Sequence, residues 1–357
     1  MMPSTISDDL QDAEDANGRA SQPDDHSMRA WLLSRIEETP LLSIEGFHSL
    51  TKSQVWAQCE FFAPTGSHKD RMYMHIIQQL ERKKLITHKT TLIDYSSGNG
   101  GAALAFVAKL LGYEAVIVRP EGMSFGKAAQ ITALGARLIE TPKAQGVEGA
   151  IQGARELAKS LGDRCYLIDQ GELSYNSEAY DALGKRMGET LKQRGVEPNY
   201  FICSIGTGGT FSGIAKQLKR IFPGIRCIAV DIEGQTMLSH TFGGHVLSSQ
   251  GHLLEGISVG KIFSQVDTDL IDDFIVIKQS EAIEACRLLW LKTQILAGFS
   301  SGANMAAISK LPAGCAVTVF FDSVWKYFDN SEMFLRPMRD RRSSLYQVLD
   351  WLQYLES

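Results

Sequence analysis

The chain has 357 residues, 44% hydrophobic and 22% charged, a composition that fits about two domains of an ordinary globular protein. No apolar run approaches the ~18 residues a membrane helix needs, and the acidic N-terminus lacks a basic-then-apolar leader, so a cytoplasmic protein without a membrane partner is expected. The net charge of −5 belongs to one end: residues 1–28 hold seven acids against one base, which leaves the remainder near +1 with no basic surface for nucleic acid.

Residues 1–28 lack aromatics and periodicity and are predicted to be a disordered acidic tail. Order is expected from near Trp31, through Ile36 and "TPLLSI". Next comes "FFAPTGSHKDRMYMHII", a Pro-Thr-Gly-Ser turn running into an apolar helix. Met72, Ile76 and Ile77 have core-facing spacing there. Lys69 sits at the mouth of that turn, which is a costly place for a lysine unless it has a function.

From Thr91 to Phe321 short β-rich runs alternate with helix-length segments. The runs are "TLIDY", "EAVIV", "RLIET", "YFICS", "RCIAV", "FIVI" and "VTVFF". The helical segments include "GAALAFVAKLLG", "EGAIQGARELAKSLG" and "SEAIEACRLLWLK". Near-continuous apolar strands alternating with helices predict an α/β fold whose parallel sheet is covered on both faces. A last helix is expected within 336–357, capped at Ser343 or Ser344, with Leu345, Val348, Leu349, Leu352 and Leu355 on one face. Arg336, Arg339, Arg341 and Arg342 before it read as a solvated connector. The six cysteines (Cys59, Cys165, Cys203, Cys227, Cys286, Cys315) are scattered without a Cys-x-x-Cys, so neither a metal site nor a disulfide framework is predicted.

Two loops look able to hold anions. In "YFICSIGTGGTFSGIAKQLKR" a strand ends at Ser204, and Gly206, Thr207, Gly208, Gly209 and Thr210 lead into a helix. Unpaired N–H groups at a helix N-terminus bind phosphate, and glycines let it come close. In "DYSSGNGGAALAFVAK" the residues Ser96, Ser97, Gly98, Asn99, Gly100 and Gly101 make a second cradle at a strand's C-terminal edge. A nicotinamide oxidoreductase would use the first loop, with Asp231 as its ribose acid, but it leaves Lys69 unexplained. A phosphorylated aldehyde held by Lys69 as a Schiff base uses all three features. One loop takes its phosphate and the other takes an amino-acid carboxylate. "VTVFFDSVWKY" and "ILAGFSSGANMAAI" read as a strand-end turn and a structural Gly/Ser turn.

From about Glu38 to Tyr327 the chain resembles the fold-type II pyridoxal-phosphate enzymes, in the cysteine synthase and cystathionine β-synthase branch. "ETPLL", "PTGSHKDR", "SSGNGG", "GTGGT", "EGIS", "GFSSGA" and "DSVWKY" follow that family's order. The resemblance implies two three-layer αβα domains with mostly parallel twisted sheets and pyridoxal 5′-phosphate in the cleft between them. It divides the chain into a large domain, 29–62 plus 175–335, and a smaller mobile domain, 63–174. It implies that Lys69 holds the cofactor and moves the substrate α-proton, and that Asn99 bonds the cofactor 3′-oxygen. Gly206 to Thr210 would hold the phosphate, and Ser323 would face the pyridine nitrogen. Ser96, Ser97, Gly98, Gly100 and Gln170 would bind the substrate carboxylate.

The implied reaction is β-elimination from an O-activated serine or similar amino acid, giving a bound aminoacrylate that a small nucleophile then attacks. A homodimer is implied too. Within the class, an ammonia-lyase or dehydratase, a diaminopropionate synthase and a cystathionine β-synthase are alternatives. A non-catalytic homologue is an alternative of another kind. Several positions depart from the family pattern. Gly100 replaces threonine and is expected to leave room. Ser258 replaces glycine, Val324-Trp325-Lys326 replaces Gly-Glu-Arg, His68 replaces a hydrophobe, and Gln294 replaces glycine. Most of these lie on the substrate side, which suggests an unusual donor or nucleophile.

Overall fold

The computed structural model describes residues 25–47, 51–96, 98–122, 125–234, 238, 254, 256–257 and 262–327. Its strands form two sheets. The first has the order β1 (Leu41–Ser43), β2 (Gln54–Cys59), β10 (Cys315–Phe320), β7 (Tyr200–Ser204), β8 (Arg226–Ile232), β9 (Asp273–Ile277). Within it β1 runs antiparallel to β2, and every other pair is parallel. The second sheet has the order β5 (Arg137–Thr141), β4 (Ala115–Pro120), β3 (Thr91–Tyr95), β6 (Cys165–Leu167), all parallel. The fold is thus the mixed α/β class expected.

The helices are α1 (Asp25–Glu37), α2 (Lys69–Arg82), α3 (Asn99–Leu111), α4 (Phe125–Ala133), α5 (Gly146–Leu161), α6 (Tyr175–Glu178), α7 (Asp181–Gln193), α8 (Gly209–Ile221), α9 (Gln279–Thr293) and α10 (Phe299–Ser309). Crossover helices cover both faces of a parallel sheet, so β7, β8 and β10 are mainly apolar and, beyond their first residues, buried. In α10, Gly302 lets the helix pack closely on α9: a Cβ there would lie 2.2 Å from the Ala282 carbonyl oxygen. No helix among the described residues is long and apolar enough to cross a membrane.

Two expectations need correction. The tail does not extend to residue 28, because α1 starts at Asp25. Met28, Arg29, Ala30, Leu32 and Leu33 are good helix formers, and Ile36 anchors the helix in the core at 1% exposure. The strands β1, β2 and β6 were not expected. Two of them are three residues long, and β2, "QVWAQC", carries buried glutamine instead of a clean apolar run. Residues 1–24 and the C-terminal helix expected within 336–357, with its arginines, lie outside the described residues.

The polar content of β2 has a structural purpose. Gln58 donates to the Thr39 carbonyl at 3.0 Å and to Glu60 Oε1 at 3.0 Å. Glu60 is wholly buried and pairs with Arg71 at 3.1 Å, and the Thr39 hydroxyl donates to the same carboxylate. This network fastens the "ETP" segment, the end of β2 and the first turn of α2 to one another. Removing one partner of such a pair strands a buried charge. Glu60→Ala is therefore expected to lower unfolding stability by about 3–5 kcal/mol, read from urea denaturation by circular dichroism. A change within experimental error overturns this account of the network.

Candidate active site

The C-terminal edges of the two sheets face a single cleft, where open α/β sheets place ligands. The cleft has about 1090 Å³ of empty volume counted to its open mouth, ample for a small-molecule ligand. The turn after β3, the turn after β7, the end of β10 and the start of α2 all contribute to its lining.

Lys69 is the first residue of α2, and the side chains of His68, Asp70 and Arg71 on either side of it hold it in place. Asp70 accepts from the Thr65 backbone N–H at 2.7 Å and from the Thr65 hydroxyl, which pins the preceding turn. Arg71 is held by Glu60. His68, before the lysine, has Nδ1 3.0 Å from both Thr210 Oγ1 and the Tyr180 hydroxyl. Enclosure lowers the His68 pKa well below its ordinary value, with the Lys69 and Arg71 charges adding to the effect, so the ring is neutral. The Lys69 amine donates to Gln170 Oε1 at 3.0 Å and to Thr207 Oγ1 at 3.4 Å. Enclosure pushes its pKa down to about 8, while the Asp94 charge pulls it up. About a tenth of the amine is then neutral at pH 7, far more than for an exposed lysine, which makes it a usable nucleophile and base.

The two anion cradles flank this amine. Gly206, Thr207, Gly208 and Thr210 line the cleft, and Gly209 opens α8 behind them. The first amides of α8 have no partner inside the helix. Gly208 has φ +93°, a conformation most side chains avoid. Across the cleft, Ser96, Gly98, Asn99 and Gly100 lie in the lining, and Ser97 lies outside the described residues. Gly100 does not leave room. A Cβ there would lie 2.7 Å from Ser96 Oγ and 3.0 Å from Gln170 Nε2, because those side chains already fill the space. Ser258 lies outside the described residues, and Gln294 caps α9 in a left-handed conformation at φ +60°.

Ser323 does not join this cleft. Its backbone bridges to Ala297, its N–H donates to the Gly66 carbonyl, and its hydroxyl accepts from the Trp325 N–H. These bonds turn it into a neighbouring cavity lined also by Phe61, Gln130, Trp325 and Lys326. The serine that lines the cleft is Ser300, in the first turn of α10, and "GFSSGA" therefore contributes more than a structural turn. Asp322 lines the cleft as well. Its Oδ2 accepts from Asn99 Nδ2 at 2.6 Å and from the Tyr327 hydroxyl at 2.8 Å. Burial raises its pKa. Lys127 is a further residue that the sequence reading missed. It is buried in the lining, its stem crosses Gly98, and its ammonium lies 4.6 Å from the Tyr327 ring centroid. A glycine-rich helix start in "GFSSGA" was the one signal that could have pointed to Ser300.

The residues fit a phosphorylated pyridine aldehyde. Asn99 Oδ1 and Asp322 Oδ1 are buried acceptors without a hydrogen-bond donor, facing a ligand-sized cleft with an amine at one wall and a helix N-terminus at another. They do not fit a dinucleotide using Asp231. That side chain is fully buried, and its oxygens accept from the Ile232 and Leu238 backbone N–H groups at 2.9 and 3.0 Å.

A two-sheet α/β fold with a lysine between two anion cradles defines a fold-type II enzyme of the cysteine synthase-like class. The family model described as pyridoxal-phosphate dependent enzyme matches residues 32–322, and the chain belongs to that family. It is 37% identical over 284 residues to a cysteine synthase from Helicobacter pylori, covering 77% of this chain and 89% of that one. It is 34% identical over 286 residues to a cystathionine β-synthase from Apis mellifera, covering 78% of this chain but 56% of that longer protein. A solved O-acetylserine-dependent cystathionine β-synthase from Helicobacter pylori superposes with a TM-score of 0.73 at 34% identity, covering 83% of this chain and 96% of that one. The cofactor is pyridoxal phosphate.

A phosphate-holding role for the glycine-rich turn after β7 is testable at Gly206, where a Cβ would lie 2.3 Å from the Gly256 carbonyl oxygen. Gly206→Ala must shift the loop. The apoprotein's dissociation constant for pyridoxal phosphate is expected to rise about tenfold or more, as for one lost hydrogen bond to a charged group. Near-UV circular dichroism should be unchanged. An unaltered affinity overturns the placing of the phosphate at this loop.

Proposed function

We propose that the chain catalyses β-replacement on an O-activated serine, with a small nucleophile such as sulfide or a thiol taking the place of the leaving group. The observation that carries this reading is Lys69. Its amine is enclosed, has a lowered proton affinity, and lies between two glycine-rich cradles. Relatives named for cysteine and cystathionine synthesis support β-replacement as the reaction type. Of the departures from the common pattern, Gly100 lies in the cleft wall beside Ser96 and Gln170, and it favours a specialised donor or nucleophile over ordinary cysteine synthesis.

In this reading Lys69 holds the cofactor and, once released, takes the substrate's α-proton. Gly206 to Thr210 hold the phosphate group through backbone N–H groups and the Thr207 and Thr210 hydroxyls. Asn99 orients the ring from one side. Ser300 replaces Ser323 as the hydroxyl offered to the ring nitrogen, because Ser300 lines the cleft. A hydroxyl there is a hydrogen-bonding partner and not an acid, so it leaves the ring less protonated than a carboxylate would. Ser96 to Gly100 receive the substrate carboxylate at the N-terminus of α3. When bound, pyridoxal phosphate supplies the electron sink that makes the substrate's α-C–H bond acidic. The chain divides into 29–62 with 175–335 and a smaller part, 63–174, which closes over the substrate and excludes water. Sheet membership supports that division, since β3 to β6 form one sheet and the remaining strands the other.

The purified protein is expected to be yellow, and Lys69→Ala is expected to lose the visible band. Among O-acetylserine, O-phosphoserine and serine, the true donor should alter the band, and a competent nucleophile should restore it. A protein that stays colourless with added pyridoxal phosphate overturns the reading. Release of pyruvate and ammonia without any nucleophile makes the enzyme an ammonia-lyase instead.

A further inference from the structure

The expected role of Gln170 conflicts with its hydrogen bonds. Its Nε2 carries two hydrogens, and both are used: one goes to the Tyr73 hydroxyl at 3.1 Å and one to the Tyr95 carbonyl at 3.0 Å. A carbonyl can only accept, so the amide cannot be turned round without setting oxygen against oxygen. Its Oε1 therefore faces the Lys69 amine at 3.0 Å, and no N–H remains for a substrate carboxylate.

The chain of bonds continues inward. Tyr73 is fully buried and has one hydroxyl proton, which it gives to Asp94 Oδ2 at 2.8 Å. Asp94 is also fully buried, and its other oxygen accepts from the Tyr95 backbone N–H at 2.8 Å. Every donor from Lys69 through Gln170 and Tyr73 points the same way, toward one carboxylate. A polarised run of this kind stabilises positive charge at its outer end. Neither Tyr73 nor Asp94 lines the cleft, so neither is placed to touch substrate or cofactor.

We propose that Asp94, acting through Tyr73 and Gln170, is a positioning residue that holds the released Lys69 amine and raises its basicity. The proposal rests on Lys69 being the proton-transferring lysine. The groups facing Asp94 are Lys69 and Tyr73 from α2, Tyr95 beside it, and Asp169 after β6. Asp169 is itself paired with Arg155 at 2.9 Å and accepts from the Tyr95 hydroxyl at 2.8 Å. Burial lifts the Asp94 carboxyl to about 7, against the hydrogen bonds from Tyr73 and the Tyr95 N–H, and Asp169 lifts it further. Above that pH its charge favours the protonated lysine. Removing the charge must therefore lower the lysine's midpoint.

The test is the pH dependence of the rate at which the apoprotein forms its visible band with pyridoxal phosphate. That rate follows the neutral fraction of Lys69 and requires no turnover. The midpoint for the unaltered protein is expected near the Lys69 value of about 8. Asp94→Asn should move it down by about half a pH unit or more. Tyr73→Phe keeps the ring volume and should move it in the same direction. The double variant should go no further than Asp94→Asn, because both substitutions break one chain. A purely structural role lowers thermal stability and leaves the midpoints alone. Unmoved midpoints, or additive shifts, overturn the proposal. Should Asp94→Asn fail to fold, Tyr73→Phe alone decides by the same criterion. Lys69→Ala separates the two readings. If its band persists, the reading of Lys69 itself fails. If its band is lost while the other midpoints stay put, only the relay fails.

Discussion

Holding an amine partly neutral near neutral pH is the constraint on which the rest of this cleft depends. An exposed lysine is almost wholly charged there. Lys69 escapes that state by enclosure at the start of a helix, where the macrodipole also disfavours a cation. Such a position costs stability, and the neighbouring sequence offsets the cost. Asp70 closes the turn on Thr65, Arg71 locks the helix to Glu60, and His68 stays neutral against Thr210 and Tyr180. "HKDR" is therefore one mechanical unit, in which each residue has its own buried partner and together they leave the lysine a single direction.

The small residues of the cleft work in the same coupled way. Deleting a side chain usually suggests added space, and a glycine at position 100 suggests it too. Here Ser96 and Gln170 fill that space, and Lys127 fills the space over Gly98. The loop keeps its packing by borrowing volume from residues distant in sequence. A change at any one of these positions thus alters the others. The shape of the cleft wall cannot be assigned to Gly100 alone, because it is the joint shape of Ser96, Gly100, Gln170 and Lys127.

Much of this was legible in the sequence for simple reasons. Strands buried on both faces must be apolar, so β3, β4, β7, β8 and β10 announced themselves. The glycine-rich loops had to follow them. The short strands β1 and β6 carried too few residues to show a period, and β2 hid its burial behind Gln58, whose amide has partners in the fold. The choice between Ser300 and Ser323 was not legible. Both follow an apolar segment in a turn, and only the bridge from Ser323 to Ala297 and its bond to Gly66 decide which serine reaches the cleft. The orientation of the Gln170 amide was equally hidden, since it depends on a carbonyl and a phenol from other elements.

The titration of this cleft belongs to the set of groups and not to one residue. Enclosure brings Lys69 and Lys326 to about 8, Asp94 to about 7 and Asp70 to about 6. The charge on Asp94 supports a proton on Lys69, and the charges on Asp322 and Asp70 support one on Lys326. Lys127 opposes a proton on Lys326, while Asp322 carries the Asn99 and Tyr327 hydrogen bonds. Each proton therefore changes the affinity for the next. His68 is the exception that keeps this balance workable. A protonated imidazole beside Lys69 would add a second cation to the helix start, and its burial among Tyr180, Phe321 and Thr210 prevents that. A hydrophobe at position 68 would also avoid the charge. The imidazole additionally gives Thr210 a fixed hydrogen-bonding partner at the start of α8, and that ties the geometry of the glycine-rich turn to the turn that carries the lysine.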